Sequence, residues 1–387
     1  MNEKFDFLVR KDITFLNFGS FGSCPREIFT FYQEKQLELE SQPVSFIVEE
    51  GIQQLNHARK SLANFVNCEP DDIVFVTNPS YAINTIAKSL PLNKGDEVLS
   101  TNLEYGALIR TWNYYCEIKG AKFVQQTIPL PLSTTEEIVD AFFKGFNKNT
   151  KAIFISQITS STALILPVAE ICLEAKKRGL MTIVDGAHVP AHIALNLREL
   201  NADIYTGACH KWMMSPKGAS FLYASKETQD WIDPLLISWG FQSANPTSSR
   251  FIDYHQTAGT RDFSAFLTVP FCIDFMKRHD WEKVSNTNKE ITIEWATRLK
   301  DRFNFNSISP IDKAFLGQMF AIPIKTNDSL LLKEILWRKF NIEIPVTQME
   351  NRNFIRFSVQ AFNDWNDYHR LESALTDLYK SEILQFS

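Results

Sequence analysis

Short apolar runs alternate with amphipathic stretches between about residue 70 and residue 225, and this alternation constrains the fold most strongly. The amphipathic stretches have helical spacing, as in LPVAEICLEAKKRGL (166–180). The apolar runs that we predict to be buried strands are DDIVFVT (71–77), KAIFIS (151–156), MTIVD (181–185), ADIYTG (202–207) and SFLYA (220–224). Strands alternating with helices of this length predict an α/β fold with a mainly parallel sheet and helices on both faces.

The pattern changes after about residue 262, where longer helical stretches precede a few further strands. A chain of 387 residues is also too long for one compact core. We predict three parts, which are an N-terminal active-site segment that packs with the small domain (1–30), a large ligand-binding domain (31–261) and a small α/β C-terminal domain (262–387). The stretch 234–260 is polar and irregular, and we predict a functional loop there.

Composition and charge limit the partners, the location and the thiol chemistry that we expect for this chain. A net charge of −5 gives no basic surface for nucleic acid. No apolar run reaches the ~20 residues needed to cross a bilayer. The first residues mix both charge signs and lack the apolar centre of a signal peptide, so we expect a cytoplasmic protein. Six scattered cysteines without a CxxC pair are typical of reduced thiols.

Two reactive side chains follow neighbouring strands of the predicted sheet. Asp185 ends the strand in TIVDGAH, and Lys211 follows the strand ADIYTG in the sequence ACHKW. Ligand sites in such sheets lie beyond the carboxyl ends of the strands. Either residue alone is weak evidence, because such an Asp can bind a metal or cap a helix and such a Lys is usually solvated. Together they match pyridoxal 5′-phosphate (PLP) chemistry, which needs an amine for a Schiff base and a carboxylate for the pyridine nitrogen.

Eight sequence blocks carry a resemblance to a known family. In order they are LNFGSFGSCP, TNPSYAIN, LEYGALIRTW, SQITSSTALILPV, DGAHVPAH, HKWMMSPKG, AGTRD and IRFSVQAFN. They resemble blocks of the class V aminotransferases, in particular the isopenicillin N epimerase-like branch related to cysteine desulfurases. The resemblance covers nearly the whole chain. It implies the PLP-dependent transferase fold type I and PLP as the cofactor.

The resemblance also implies residue roles at the cofactor. Lys211 would form the Schiff base, Asp185 would bind the pyridine nitrogen, and Tyr105 would lie over the ring. With His188, these are the predicted catalytic residues. The other predicted cofactor contacts are Ser80, Tyr81 and His210 at the phosphate, Gln157 and His188 at or near the 3′ oxygen, and Thr260 from the partner subunit. Ser80 and Tyr81 also open a predicted helix, whose N-terminus is a natural anion site.

Thr260 implies a homodimer, because the family residue at this position reaches the phosphate of the other subunit. Ala208 stands where relatives often carry a polar residue, so the phosphate site would depend more on Thr260. On the substrate side, Arg356 aligns with the arginine that binds the α-carboxylate, which a planar guanidinium can hold through two bonds. Arg261 and Gly19 are further predicted substrate contacts.

Several functions stay open at this stage. An enzyme of this branch could epimerise, transaminate or eliminate at Cβ of a free α-amino acid, and an epimerase needs a second acid such as Tyr105 or His188. Persulfide-forming desulfuration is disfavoured, because the stretch 341–353 lacks the nucleophilic cysteine of cysteine desulfurases. A nucleotide-binding enzyme is disfavoured, since the chain has no GxGxxG or GxxxxGK[ST] motif. The remaining alternative is a non-catalytic fold relative that binds PLP or another small ligand.

Overall fold

The structure is a computed structural model, and it describes residues 5–387. The N-terminal elements are β1 (Thr14–Phe15), α1 (Phe18–Phe21), α2 (Arg26–Ser41), α3 (Pro43–Ser45), a π-helical turn (Phe46–Glu50) and α4 (Gly51–Val66). The next elements are a 3₁₀ turn (Pro70–Asp72), β2 (Ile73–Val76), α5 (Pro79–Ser89), β3 (Glu97–Thr101), α6 (Gly106–Ile118), β4 (Lys122–Gln126), α7 (Thr135–Phe143), β5 (Thr150–Ser156), α8 (Val168–Lys177), β6 (Met181–Gly186), α9 (Leu197–Leu200), β7 (Ile204–Ala208) and β8 (Ser220–Ala224).

The last third of the chain is richer in long helices. Its elements are a 3₁₀ turn (Gln229–Trp231), α10 (Arg250–Gln256), α11 (Ser264–Leu267), α12 (Val269–Arg278), α13 (Trp281–Phe303), β9 (Met319–Lys325), α14 (Ser329–Phe340), β10 (Ile342–Glu343), β11 (Val346–Met349), β12 (Arg352–Ser358), α15 (Trp365–Lys380) and β13 (Gln385–Phe386).

A seven-stranded sheet forms the centre of the large lobe, in the order β2-β8-β7-β6-β5-β3-β4. β3 to β7 run parallel, and β8 is antiparallel to both β2 and β7. Alternating side chains of β5 belong to two different apolar cores, Ile153 and Ile155 to one and Ala152 and Phe154 to the other. Helices therefore cover both faces of the sheet, and the predicted α/β fold is confirmed.

A four-stranded antiparallel sheet, in the order β11-β12-β9-β13, forms the small lobe with α13 to α15. β1 pairs with β10, and Leu16 packs in this lobe's core. The helices α11 and α12 pack instead in the large-lobe core. The predicted boundaries at residues 30 and 261 stay predictions. No helix among residues 5–387 is long and apolar enough to cross a membrane.

The predicted loop at 234–260 contains a short helix, α10. Ser249 caps it by accepting a hydrogen bond from the Ile252 N–H, and Phe251 and Ile252 are buried in the large lobe. The sequence did not reveal this helix, because tertiary burial of only two apolar residues stabilises it.

Candidate active site

The parallel register of the central strands brings the chemically important residues to one edge of the sheet. Ser156 at the end of β5 pairs with Asp185 near the end of β6, which in turn pairs with Thr206 of β7. Lys211 follows the end of β7 by three residues. A cavity of about 220 Å³ lies at this edge. The predicted site residues that line it are Gly19, Ser80, Tyr105, Asp185, His188, His210 and Lys211.

Lys211 reaches into the cavity with its amine 3.2 Å from Nε2 of His188. Its pKa is lowered to about 8, because burial disfavours the ammonium form, while the carboxylate of Asp185 acts in the opposite direction. An amine with this pKa is partly unprotonated near neutral pH. It can therefore act as a nucleophile or a base.

Asp185 and His188 form the wall around this amine. The Ala187 N–H donates to Oδ1 of Asp185 at 2.9 Å, which orients the carboxylate, and burial raises the pKa of this group. Burial, together with the charges of Lys211 and Arg356, lowers the pKa of His188 well below its usual value. His188 is therefore neutral, and its Nδ1 is buried without a hydrogen-bond partner among residues 5–387. A buried ring nitrogen without a partner is costly, so this atom is available to a ligand.

The N-terminus of α5 forms another wall. Asn78 is its N-cap, and its side-chain oxygen accepts from the Tyr81 N–H at 2.8 Å. This amide donor is therefore already used and Tyr81 does not line the cavity, so its predicted phosphate contact finds no support in this placement. Ser80, the preceding residue, does line the cavity, as does His210. Nδ1 of His210 donates to the Ala219 carbonyl at 2.9 Å, so Nε2 is the nitrogen left for a ligand.

Tyr105 stands at the mouth of the cavity. It precedes α6, and 47 % of its surface is exposed. Its ring is therefore free to cover a flat ligand.

Arg356 lies in β12, only 3 % exposed. Nη1 donates to the Ser160 carbonyl and Nη2 donates to the Ser20 hydroxyl at 3.0 Å, while Nε has no partner in the described chain. Burial lowers its pKa to about 10. Among residues 5–387 no carboxylate lies within ion-pair distance of it. Because Ser20 and Ser160 line the cavity, the guanidinium is one hydrogen bond away from it.

Gly19 has no room for a side chain. A Cβ there would lie 2.3 Å from Sδ of Met319 and 3.6 Å from Nη2 of Arg356. Its N–H donates to the Ser358 hydroxyl at 3.4 Å, so the backbone itself forms the cavity wall next to Arg356.

Three other predicted residues do not line the cavity. The side chain of Gln157 accepts a hydrogen bond from the Tyr205 hydroxyl at 2.8 Å, so its predicted contact with the cofactor finds no support in this placement. Arg261 donates to the Gln256 carbonyl and lies 5.1 Å from the ring centre of Phe266, so its predicted contact with the substrate finds no support in this placement. Thr260 is exposed, and its predicted contact with a partner subunit stays a prediction.

Sequence reasoning missed four residues of this site. Ser20 and Ser160 contact Arg356, Ser156 lies beside Asp185, and Asn78 caps α5. All four lie within the sequence blocks that carry the family resemblance, but their roles depend on contacts between distant segments.

Comparison with known proteins places the chain in a family. Residues 25–371 match the family model described as aminotransferase class-V. The chain belongs to this family. It is 30 % identical to an isopenicillin N epimerase from Amycolatopsis lactamdurans, covering 95 % of this chain and 96 % of the relative. It is 26 % identical to a probable chloroplastic L-cysteine desulfhydrase from Arabidopsis thaliana, covering 95 % of this chain and 83 % of the relative.

Solved structures confirm the fold. Two structures of the cystine C-S lyase C-DES match with TM-scores of 0.84 and 0.83 at 18 % identity, each covering 95 % of this chain and 98 % and 97 % of C-DES. One is described as a complex with cysteine persulfide and the other as a mutant with glycine covalently linked to the PLP cofactor. Aminotransferases of class V are PLP-dependent, and the chain is a PLP-dependent enzyme of this family.

The cavity has the groups that PLP requires. Lys211 would supply an amine for the aldehyde carbon, and Asp185 would supply a carboxylate for the ring nitrogen. The N-terminus of α5, with Ser80 and His210, suits an anionic phosphate. The unpartnered Nδ1 of His188 leaves a further donor for a ring substituent. These residues therefore fit the family's cofactor.

Proposed function

We propose that this enzyme acts on a free α-amino acid by removing the proton from Cα. The observation that supports this best is the buried Arg356, which has hydrogen bonds to Ser160 and Ser20 but no carboxylate partner in the described chain. A buried cation without a counter-charge is costly. The α-carboxylate of a substrate would supply that counter-charge next to Lys211.

Each residue of the cavity has a task in this proposal. When bound, PLP supplies an electron-withdrawing ring that makes the Cα–H bond of an attached amino acid acidic. Asp185 holds a proton on the ring nitrogen, which preserves that effect. Lys211 holds the cofactor and then accepts the Cα proton at Nζ, for which a pKa of about 8 is suitable. His188, neutral and 3.2 Å away, orients the amine by accepting one of its hydrogens at Nε2.

Arg356 fixes the direction of the reacting bond. A guanidinium that binds both carboxylate oxygens leaves Cα little rotational freedom, so the Cα–H bond can be held toward Lys211. The backbone at Gly19 and the serines around Arg356 would complete this carboxylate site.

The relatives favour two reaction types, because they are described as epimerases and as cysteine desulfhydrases. Epimerisation requires a second proton donor on the face opposite Lys211, where Tyr105 is the candidate. Elimination requires a leaving group on Cβ and no second base. Transamination is the third outcome open to the same site. A mechanism that forms a persulfide on an enzyme cysteine is disfavoured, since all six cysteines are buried.

The test is an amino-acid panel on the purified holoenzyme. Cα-proton exchange in deuterated water, keto-acid release and sulfide release are measured together for each L- and D-amino acid. Exchange with inversion identifies an epimerase, and pyruvate with sulfide from cysteine identifies a C–S lyase. Borohydride reduction followed by peptide mapping should place the pyridoxyl group on Lys211. A purified protein that binds PLP but exchanges no Cα proton across the panel contradicts the proposal and favours the non-catalytic alternative.

We also propose a homodimer in which Thr260 of each subunit completes the phosphate site of the other. Thr260 is exposed and does not line the cavity of its own chain, and the cavity mouth at Tyr105 is open. Both observations are expected of a site that a second subunit covers.

A further inference from the structure

Glu104 is a buried glutamate directly before Tyr105, in the turn between β3 and α6. It is 6 % exposed, and both oxygens of its carboxyl group accept hydrogen bonds. The Thr101 hydroxyl donates to Oε1 at 2.6 Å. The Ser156 N–H and hydroxyl both donate to Oε2, at 3.0 Å and 2.5 Å. One carboxyl group therefore ties the end of β3 to the end of β5.

The two strand ends that Glu104 joins carry opposite parts of the cofactor cavity. On one side the turn continues into Tyr105 and α6, which form the mouth. On the other side Ser156 lines the cavity and pairs with Asp185 in the sheet. Movement of this turn would change the separation between Tyr105 and Asp185.

Stability alone does not account for a carboxyl group at this place. Burying an ionisable group is costly, and within residues 5–387 no cation lies within ion-pair distance of Glu104. Burial and the charge of Asp185 raise its pKa to about 7, against a usual 4.5, although three hydrogen bonds act in the opposite direction. The groups that touch it, Thr101 and Ser156, are neutral, so Asp185 is the charged neighbour that acts on it.

We infer that Glu104 is a positioning residue for the cofactor, one that fixes the Tyr105 turn relative to Ser156 and Asp185. This role depends on the proposed function, because it assumes that PLP lies between Tyr105 and Asp185. Glu104 does not line the cavity. It acts through the two walls that it joins.

Two substitutions distinguish the effect of the hydrogen bonds that Glu104 makes to Thr101 and Ser156 from the effect of its charge. Glu104→Gln keeps the shape, since its amide oxygen can accept from Ser156 and its amide nitrogen can donate to the Thr101 hydroxyl. Glu104→Ala removes the tie and leaves the Ser156 donors without a partner. Glu97→Ala is the matched control, because Glu97 is a buried glutamate at the start of β3, at the end of this strand that is remote from Glu104 and the cavity. Its side chain accepts a hydrogen bond from Asn147 at 2.6 Å.

The first measurement is the affinity of each apoenzyme for PLP, by absorbance titration. We expect Glu104→Ala to weaken PLP binding at least about tenfold, and Glu104→Gln and Glu97→Ala to stay within about threefold of wild type. Equal affinity of Glu104→Ala and wild type overturns the inference, and so does equal loss in Glu104→Ala and Glu97→Ala. Should Glu104→Ala not fold, Glu104→Asp replaces it, since its shorter side chain cannot reach both Thr101 and Ser156.

The second measurement needs no cofactor and follows Tm of the apoenzyme against pH. Because the folded-state pKa of Glu104 is raised, the folded state binds this proton more tightly than the unfolded state does. The stability that this proton provides is lost as pH rises from about 4.5 to about 7. Glu104→Gln has no such proton, so its Tm relative to wild type should increase between about pH 5 and about pH 8. A pH-independent difference means that Glu104 is not buried between the two strand ends, which overturns the inference.

The outcomes distinguish this inference from the proposed function. A wild-type protein that binds no PLP overturns both. Normal PLP binding and activity in wild type, with unchanged PLP affinity in Glu104→Ala, overturns only the role of Glu104.

Discussion

At the scale of single residues, the site contains buried ionisable groups, and one of them has no counter-charge in the described chain. Arg356 is buried, and its hydrogen-bond acceptors in the described chain are a carbonyl and a hydroxyl. Lys211 and Asp185 both lie in the cavity wall, and burial shifts the pKa of each toward its neutral form. Such perturbed groups in a cleft are characteristic of catalytic sites.

Arg356 is the first residue at which this reasoning can be tested. Arg356→Lys keeps a positive charge but loses the planar pair of donors, so kcat/KM should fall at least about tenfold, or ~1.4 kcal/mol of transition-state stabilisation. The kcat/KM of Arg356→Ala should fall further. PLP content is checked by absorbance. The matched control is Arg59→Lys, since Arg59 is a buried arginine paired with Asp71 at 3.0 Å, outside the cavity. A smaller loss in both Arg356 variants would mean that the carboxylate binds elsewhere.

Asp185 provides the second residue-scale prediction. Asp185→Asn retains the hydrogen bond from Ala187 when its amide oxygen takes the place of Oδ1, but it cannot hold a proton on the ring nitrogen. We expect PLP to remain bound and kcat to fall by about a hundredfold, or ~2.7 kcal/mol. Asp253→Asn, at a buried aspartate that accepts from Thr247, is the control. Turnover of Asp185→Asn at the wild-type rate would refute the assignment of Asp185 as the partner of the ring nitrogen.

At the scale of elements, the N-terminal segment crosses directly over the Lys211 turn. Gly22 has a φ of +65°, and a Cβ there would lie 2.4 Å from the His210 carbonyl and 2.7 Å from the Lys211 carbonyl. Lys217 donates to the Gly22 carbonyl at 3.0 Å, which holds the crossing in place. The segment thus fixes the main chain that carries Lys211 on one side and contributes Ser20 to Arg356 on the other.

Gly22→Ala tests this close approach. The added methyl group cannot fit beside two carbonyl groups, so either the segment or the Lys211 turn must shift. We expect a lower Tm and weaker PLP binding, each relative to Gly95→Ala. Gly95 also has a positive φ, +91°, but no atom lies within 4 Å of the point that a Cβ would occupy, so this control isolates backbone strain from crowding. Equal effects of the two substitutions would show that the close approach of Gly22 to the Lys211 turn contributes neither to stability nor to PLP binding.

At the scale of the whole molecule, the features that the sequence predicted are those that depend on the periodicity of its apolar residues. The alternation of strands and helices determines the sheet, and strand ends determine the edge at which Asp185 and Lys211 meet. It predicted Gln157 as a cofactor contact, whereas the neighbouring Ser156 lines the cavity, because neighbouring residues at a strand end point in opposite directions. The hydrogen bonds of Glu104 were also missed, since its two bonds from Ser156 join segments 52 residues apart.

The homodimer is the remaining prediction at this scale, and subunit complementation tests it. Thr260→Glu places a negative charge where the partner's phosphate would lie, and Lys211→Ala removes the reactive amine. Each homodimer should be inactive. A hybrid dimer of the two chains, purified with two different tags, combines an intact Lys211 on one subunit with an intact Thr260 on the other. One site of the hybrid is then native, so we expect about half of the wild-type activity. Thr257→Glu, at a neighbouring exposed threonine, controls for the added charge. A hybrid without activity would place Thr260 at the site of its own chain, because no intact site could then form.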